Sequence, residues 1–172
     1  MLLTWLLSAG IVVVILMTPT YLQKVHGISP ADALTANSLA IVALTLGCIF
    51  YGRLIDSLGS GPTFVLGSLL LAGATYAFYH SLAAGMDQLV PLYMLAGFAV
   101  GIVGAVPYVM VNAFPPVVRF SGLSFSYNVA YAIFGGLTPM LVTLWMKNDV
   151  LAPSHYVVSL AGLGFVLGLW LW

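Results

Sequence analysis

Six stretches of mainly apolar residues, separated by short polar gaps, set the pattern of the chain. Each stretch is close to the roughly 20 residues that an α-helix needs to cross a bilayer. Runs such as 11–17 and 165–172 do not alternate apolar with polar residues, as the strands of a membrane β-barrel do. The pattern predicts one all-α domain over 1–172. Its predicted membrane-spanning helices cover residues 2–22, 33–51, 63–83, 88–111, 122–146 and 156–172.

The charged residues support these spans. The four basic and four acidic residues all fall in the predicted gaps: Lys24, Asp32, Arg53, Asp56, Asp87, Arg119, Lys147 and Asp149. A charge at the centre of a bilayer costs about 2.5–3.5 kcal/mol on insertion scales. The basic residues divide equally between the two sides of the membrane, so their distribution does not predict an orientation.

Composition points to the bilayer as the main partner. The chain is 62% hydrophobic and 5% charged, whereas a soluble domain carries roughly 25% charged residues. Its net charge is zero, which gives no indication of nucleic-acid binding. The histidines are scattered, and there is no phosphate loop or nucleophile with a nearby base. We therefore expect no metal site, no cofactor and no enzyme activity.

Small residues and prolines inside the spans indicate close packing and bending. Gly97 and Gly101 are four residues apart, a spacing that lets two helices approach closely. The same spacing recurs at 164 and 168, and packing is a better explanation than a functional cavity. Pro107 and Pro139 each remove a backbone hydrogen bond, so we expect a kink or a softened turn in their spans.

Polar side chains lie along one face of the fifth span, at spacings of three and four residues. They are Ser124, Tyr127, Asn128 and Tyr131. In lipid such a face turns toward protein or water. Hydrogen bonding between helices is the simpler explanation, and an aqueous cavity is the alternative.

The second gap, 51–62, resembles the G-x-x-x-D-x-x-G-x-x-P signature of the major facilitator superfamily, which joins helices eight and nine. The matching positions are Gly52, Asp56, Gly59 and Pro62. Members of the family usually carry basic residues where this chain has serine or glycine at positions 57, 60 and 61.

Three further segments resemble the metabolite:proton symporters of that superfamily, which carry proline and betaine, α-ketoglutarate, citrate or shikimate. Residues 114–128 fit F-P-x-x-x-R-x-[ST]-G-x-[SA]-x-x-[YF]-[NQ], and residues 136–139 fit the following G-x-[TA]-P. Residues 19–22 fit the P-x-Y-L that closes helix seven. The motifs follow in family order, so the resemblance covers nearly the whole chain.

The resemblance implies a fold and a set of site residues. The six spans would be helices seven to twelve, one half of a fold in which substrate binds between two halves. The first and fourth spans would line the cavity, the second and fifth would flank the seam between halves, and the third and sixth would face lipid more. Candidate cavity residues are Trp5, Ser8, Tyr93 and Tyr108. The polar residues of the fifth span, Ser124, Tyr127, Asn128 and Tyr131, are the seam candidates.

A cytoplasmic gate is also implied by the resemblance. Its candidate residues are Gly52, Asp56, Gly59 and Arg119. A simpler interpretation makes Asp56 a turn or helix-cap residue and Arg119 an anchor at the lipid headgroups. Family topology would place both termini in the cytoplasm, with the chain in the cell (inner) membrane.

The leading hypothesis is a membrane transporter. The chain would be the C-terminal half, or a truncated fragment, of a proton-coupled symporter for small metabolites such as proline, betaine or organic acids. It would work by alternating access with a separate N-terminal half. One alternative is a half-carrier that assembles as a homodimer. The other is a non-transporting interaction protein that binds another membrane protein through glycine faces such as Gly97 with Gly101.

Overall fold

Six long helices make up the fold. A computed structural model describes residues 2–85 and 88–172. The helices are α1 (Leu2–His26), α2 (Pro30–Leu58), α3 (Ser60–Ala83), α4 (Leu89–Asn112), α5 (Arg119–Trp145) and α6 (Ala152–Trp170). All six are long and apolar enough to span a membrane. No strand occurs within the described ranges, and the predicted all-α membrane fold with six spans is confirmed.

Several helices extend beyond the predicted spans into the gaps. Arg53 and Asp56 lie within the last turns of α2, and Lys24 lies near the end of α1, so the expectation that charges occupy loops is wrong at these positions. Ser29 is the N-cap residue of α2, and its hydroxyl accepts a hydrogen bond from the Asp32 N–H at 3.1 Å. Charges in terminal turns still reach water or headgroups. Asp87 lies outside the described residues.

Gly59 alone joins α2 to α3. Its φ of 85° lies in the left-handed region that side-chain-bearing residues rarely adopt. Its N–H donates to the Ile55 carbonyl at 3.0 Å, and its own carbonyl accepts from the Thr63 hydroxyl at 2.7 Å. The second glycine of the 51–62 motif is therefore required by the turn, whereas Gly52 is an ordinary helical residue.

The helices pack in pairs, with α3 against α6 and α2 against α4 as the most extensive contacts. Leu2, at the start of α1, lies at the same end of the bundle as Trp172, which packs against Gly61. We call this the terminal end. It also holds the Gly59 turn and the connection over 113–118, and the connections over 27–29 and 146–151 lie at the opposite end.

Glycines make the close α2–α4 approach possible. A Cβ atom on Gly101 would lie 2.6 Å from Gly47 Cα and 2.7 Å from the Cys48 nitrogen. A Cβ atom on Gly97 would lie 2.9 Å from the Ala40 carbonyl carbon. The packing interpretation is confirmed. Because α2 covers the face with Gly97 and Gly101, the hypothesis that this face binds another membrane protein is wrong.

The prolines divide into two groups. Six lie in first turns or connections, where no helical hydrogen bond is lost: positions 30, 62, 91, 115, 116 and 153. Three lie inside helices, and each follows a short irregular stretch. Pro19 follows a π-helical stretch (Gly10–Met17), Pro107 a 3₁₀ stretch (Gly101–Ala105), and Pro139 a π-helical stretch (Tyr131–Gly135).

The irregular stretches have a common cause. A proline ring clashes with the carbonyl four residues earlier and cannot bond to it. Those carbonyls belong to Ile15, Val103 and Gly135, and each lies in the irregular stretch. The expected breaks at Pro107 and Pro139 are confirmed, and the break before Pro19 adds a third. Helices α1, α4 and α5 are therefore interrupted, while α2, α3 and α6 are continuous.

Candidate functional site

The interruption in α1 is held by a threonine directly before its proline. The Thr18 hydroxyl donates to the Val13 carbonyl in the π-helical stretch at 2.9 Å. It lies 2.7 Å from the Tyr79 hydroxyl of α3, which therefore donates to Thr18. Both residues are fully buried. A side-chain hydroxyl thus bonds a backbone carbonyl of the π-helical stretch, and such bonds help broken membrane helices to keep their backbone groups satisfied.

The interruption in α5 has the same arrangement. The Thr138 hydroxyl, directly before Pro139, donates to the Phe134 carbonyl at 2.5 Å. The Tyr156 hydroxyl of α6 lies 2.9 Å from Thr138 and accepts from the Trp5 indole N–H at 2.9 Å. We call these two arrangements the Thr-Pro joints. Each combines a π-helical stretch, a threonine, a proline and a tyrosine from a continuous helix.

A third polar contact ties α4 to the α1 interruption. The Tyr93 hydroxyl shares its single proton between the Val14 carbonyl at 2.8 Å and Asn37 Oδ1 of α2 at 2.5 Å. The Tyr93 ring stacks on Phe78 with centroids 4.8 Å apart. One side chain therefore connects α1, α2, α3 and α4 around the π-helical stretch.

Removing the Tyr156 hydroxyl tests the second joint. Tyr156→Phe leaves the Trp5 N–H without its acceptor and Thr138 without a donor, so we expect a loss of about 1–2 kcal/mol in unfolding free energy. Unfolding of the purified chain by sodium dodecyl sulfate in mixed micelles measures it. Tyr76→Phe is the matched control, because Tyr76 is half exposed and its hydroxyl makes no hydrogen bond to the part of the chain that the structure describes. Equal stability of the two variants would show that the joint contributes nothing.

The cavity candidates occupy different environments. Ser8 and Tyr93 are fully buried within the bundle, and the Ser8 hydroxyl donates to the Trp5 carbonyl at 3.0 Å. Trp5 is partly buried and stacks on Phe134 with centroids 4.4 Å apart. Tyr108 is exposed and lines a cleft of about 500 Å³ at the terminal end, between α3, α4 and α6. Contact of these four residues with a substrate stays a prediction.

The seam candidates do lie along one side of α5. Tyr127 and Tyr131 stack with centroids 5.8 Å apart, and Asn128 is exposed with its amide donating to the Ser124 carbonyl at 2.7 Å. In an apolar 18-residue segment of α5, 17% is buried in the bundle. The corresponding share is 28% for α2 and 67% for α1. Helices α2 and α5 thus leave the most surface uncovered.

The gate candidates lie at the terminal end without forming an ion pair. Asp56 is exposed, and the Arg119 side chain donates to the Phe114 carbonyl at 3.2 Å. Within residues 2–85 and 88–172, the one ion pair joins His155 to Asp149 at the opposite end. Asp56 lies inside the last turn of α2, so it does not cap the start of a helix. Its role in a gate stays a prediction.

Sequence reasoning missed the tyrosines of the Thr-Pro joints. Tyr79 and Tyr156 lie far along the chain from the threonines they contact, so spacing within one helix does not reveal them. The threonines could have been found. Thr18 and Thr138 each stand directly before an interior proline, and a threonine hydroxyl inside a helix often bonds a carbonyl of the preceding turn.

These features define the chain as an all-α, multi-pass membrane protein with interrupted helices. No protein-family model matches it, and no solved structure matches it. Among curated proteins, it is 27% identical over 158 residues to a Staphylococcus aureus (strain COL) protein whose name includes "proline/betaine transporter". That match covers 87% of this chain and 33% of the relative.

Two further relatives carry similar names. The chain is 27% identical over 154 residues to the ectoine/proline transporter ProP of Corynebacterium glutamicum, which covers 86% of the chain and 30% of that protein. It is 27% identical over 140 residues to the proline/betaine transporter of Salmonella typhimurium, with coverages of 76% and 28%. The chain spans about a third of the length of the curated relatives it matches. It is thus related to membrane transporters.

Proposed function

We propose that the chain is one six-helix bundle of a secondary transporter of the major facilitator type, working by alternating access. The observation that carries the proposal is the similarity to named transporters along 87% of the chain. The interrupted helices α1, α4 and α5 support it, because transporters use discontinuous helices to bend and to line binding sites. By the order of the motifs, the chain corresponds to the C-terminal bundle.

A second bundle would complete the transporting unit. Helices α2 and α5 are the least buried of the six, and we place the seam with that bundle along them. Asn128 is exposed on α5 beside Tyr127 and Tyr131, and Ser38 and Thr45 are exposed hydroxyls on α2. Both of these hydroxyls donate to carbonyls of their own helix, at 2.9 and 3.0 Å. Because their protons are already bonded within the helix, these hydroxyls can face either lipid or the second bundle.

Small zwitterions are the substrates that the chemistry favours. Aromatic faces attract ammonium groups through cation–π interactions. Two stacked pairs, Trp5 with Phe134 and Tyr127 with Tyr131, lie on α1 and α5. The relatives are named for proline, betaine and ectoine. Proline and betaine each carry a cationic nitrogen that such rings can hold.

Proton coupling would depend on the second bundle. The charged residues that the structure describes all lie near helix ends or in connections, and none lies at the centre of a span. A proton relay needs ionisable groups within the membrane, so we assign it to the partner. Asp56 and Arg119, with the Gly59 turn, would act at the gate. Both termini would then face the cytoplasm.

Uptake into reconstituted vesicles tests the proposal. Vesicles would contain the chain alone, or the chain with a separate polypeptide that supplies the rest of the Staphylococcus aureus relative. Labelled betaine, proline and α-ketoglutarate would be offered with and without an inward proton gradient. We expect no uptake by the chain alone and gradient-dependent uptake of proline and betaine by the pair.

A matched pair of variants tests the aromatic contribution. Tyr127→Leu removes the ring and should lower betaine uptake at least about tenfold, in line with the loss of a desolvated cation–π contact. Tyr127→Phe keeps the ring and should retain uptake.

Two outcomes of the vesicle experiment would contradict the proposal. Uptake by the chain alone would favour a self-assembling half-carrier. Absence of uptake by the correctly inserted pair would refute the transport proposal.

A further inference from the structure

Two of the three histidines meet at the opposite end of the bundle. His80 lies near the end of α3 and His155 lies in the first turn of α6. Their ring centroids are 6.3 Å apart, with the ring planes at 63°. The third histidine, His26, ends α1 and lies beside Tyr21. Residues that are far apart in the sequence thus form an imidazole pair across two continuous helices.

The hydrogen bonds of the pair fix which ring nitrogens are free. His155 Nδ1 lies 2.8 Å from Asp149 Oδ2, and His80 Nδ1 lies 3.1 Å from the Tyr76 carbonyl oxygen. An ionised carboxylate and a carbonyl only accept hydrogen bonds, so both Nδ1 atoms carry the proton. In each neutral ring, Nε2 therefore presents a lone pair.

Both rings are also held in place. The other oxygen of Asp149 accepts from the Leu151 N–H at 2.8 Å, which fixes the carboxylate at the start of α6. The His80 ring stacks on Tyr76 with centroids 3.6 Å apart. The His155 side chain is 41% exposed, so a solute can reach it. The contacts therefore restrain both rings, and the His155 ring is open to solvent.

We propose that His80 and His155 form an open, two-imidazole site for a divalent transition-metal ion such as Zn²⁺, Ni²⁺ or Cu²⁺. Imidazole suits these ions, and metal-bound histidines almost always give their other N–H to a carboxylate or a carbonyl. Two rings that share an ion through bonds of about 2.0–2.1 Å have centres roughly 5–6 Å apart. The observed separation of 6.3 Å needs only a small ring movement.

The site takes an exchangeable ion. Among the described residues, no group of three or more His, Cys, Asp or Glu side chains could hold a metal. Water would therefore fill the remaining positions, whereas a closed structural site uses four protein ligands. A bound ion would bridge the end of α3 and the start of α6. Because it binds the folded chain, it should raise the melting temperature.

Electron paramagnetic resonance with Cu²⁺ tests the site directly. The chain would be purified in detergent without a histidine tag and titrated with Cu²⁺. We expect one ion per chain, with hyperfine splitting from two imidazole nitrogens. His80→Gln or His155→Gln should weaken binding at least about tenfold and remove one nitrogen. His26→Gln is the matched control and should bind as the unchanged chain does, since its ring has no second imidazole nearby.

Thermal unfolding with Zn²⁺ gives an independent readout. Zn²⁺ should raise the melting temperature of the unchanged chain and of His26→Gln, and should not raise that of the double variant His80→Gln/His155→Gln. Melting without Zn²⁺ confirms that each variant is folded. Equal Cu²⁺ affinity and equal nitrogen splitting in the double variant would overturn the proposal. Neither the Cu²⁺ titration nor the melting measurement depends on transport. The metal-site proposal can therefore fail while the transport proposal stands, and the reverse.

Discussion

Replacing Gly101 by alanine is expected to destabilise the bundle by about 3 kcal/mol or more. The new Cβ atom would lie 2.6 Å from Gly47 Cα and 2.7 Å from the Cys48 nitrogen. These are backbone atoms of α2, which cannot turn away as a side-chain end can. The helices must separate, and the packing between α2 and α4 is then lost along much of their length. Unfolding by sodium dodecyl sulfate in mixed micelles measures the change.

The Gly73→Ala variant is the matched control for this prediction. Gly73 lies in the middle of α3, and a Cβ atom there meets nothing within 4 Å. Alanine is a better helix former than glycine by about 1 kcal/mol, so stability should be unchanged or slightly higher. Equal stability of Gly101→Ala and Gly73→Ala would show that α2 and α4 do not pack as closely as described.

Replacing Tyr93 by phenylalanine is expected to cost about 2–3 kcal/mol. The change keeps the ring on Phe78 but removes the hydroxyl that bonds the Val14 carbonyl and Asn37. The carbonyl belongs to Val14, which is fully buried in the bundle, so water does not replace the lost donor. The same micelle titration measures the loss, and near-ultraviolet circular dichroism reports the loosened packing of the aromatic rings.

The Tyr108→Phe variant separates a structural role from a transport role. Tyr108 is 45% exposed and its hydroxyl makes no hydrogen bond in the bundle, so stability should stay within about 0.5 kcal/mol. If Tyr108 lines a substrate path, uptake should fall in the assembled transporter although the bundle is intact. A large stability loss in Tyr108→Phe, or none in Tyr93→Phe, would contradict this division between the two tyrosines.

The sequence was sufficient to predict the spans and two of the three breaks. A helix that crosses lipid needs a long, uninterrupted apolar stretch, which is easily recognised in the sequence. A proline inside such a stretch removes a backbone hydrogen bond, which predicts a break. The exact ends were less clear, because charged residues at helix ends look like loop residues. Arg53 and Asp56 were therefore placed in a gap, although α2 continues to Leu58.

The contacts between helices could not be predicted in the same way. Which helix covers a polar face depends on the rotation of each helix about its axis, and that rotation is set by packing over the whole bundle. The bond from Tyr93, a cavity candidate, to the Val14 carbonyl of α1 is one contact that spacing along a single helix does not reveal. His80 and His155 appeared isolated, because only the α3–α6 contact brings them together.

The division between interrupted and continuous helices has a mechanical consequence. Bending stiffness in a helix comes from its ladder of backbone hydrogen bonds, and among the described residues the regular α-helical ladder is interrupted in α1, α4 and α5. Any change of shape should therefore concentrate at these three irregular stretches, and the closely packed pair of α3 and α6 should move as one unit. The tyrosine bonds from α3 and α6 to the Thr-Pro joints would then hold the interrupted helices at fixed points while the segments on either side of each joint bend.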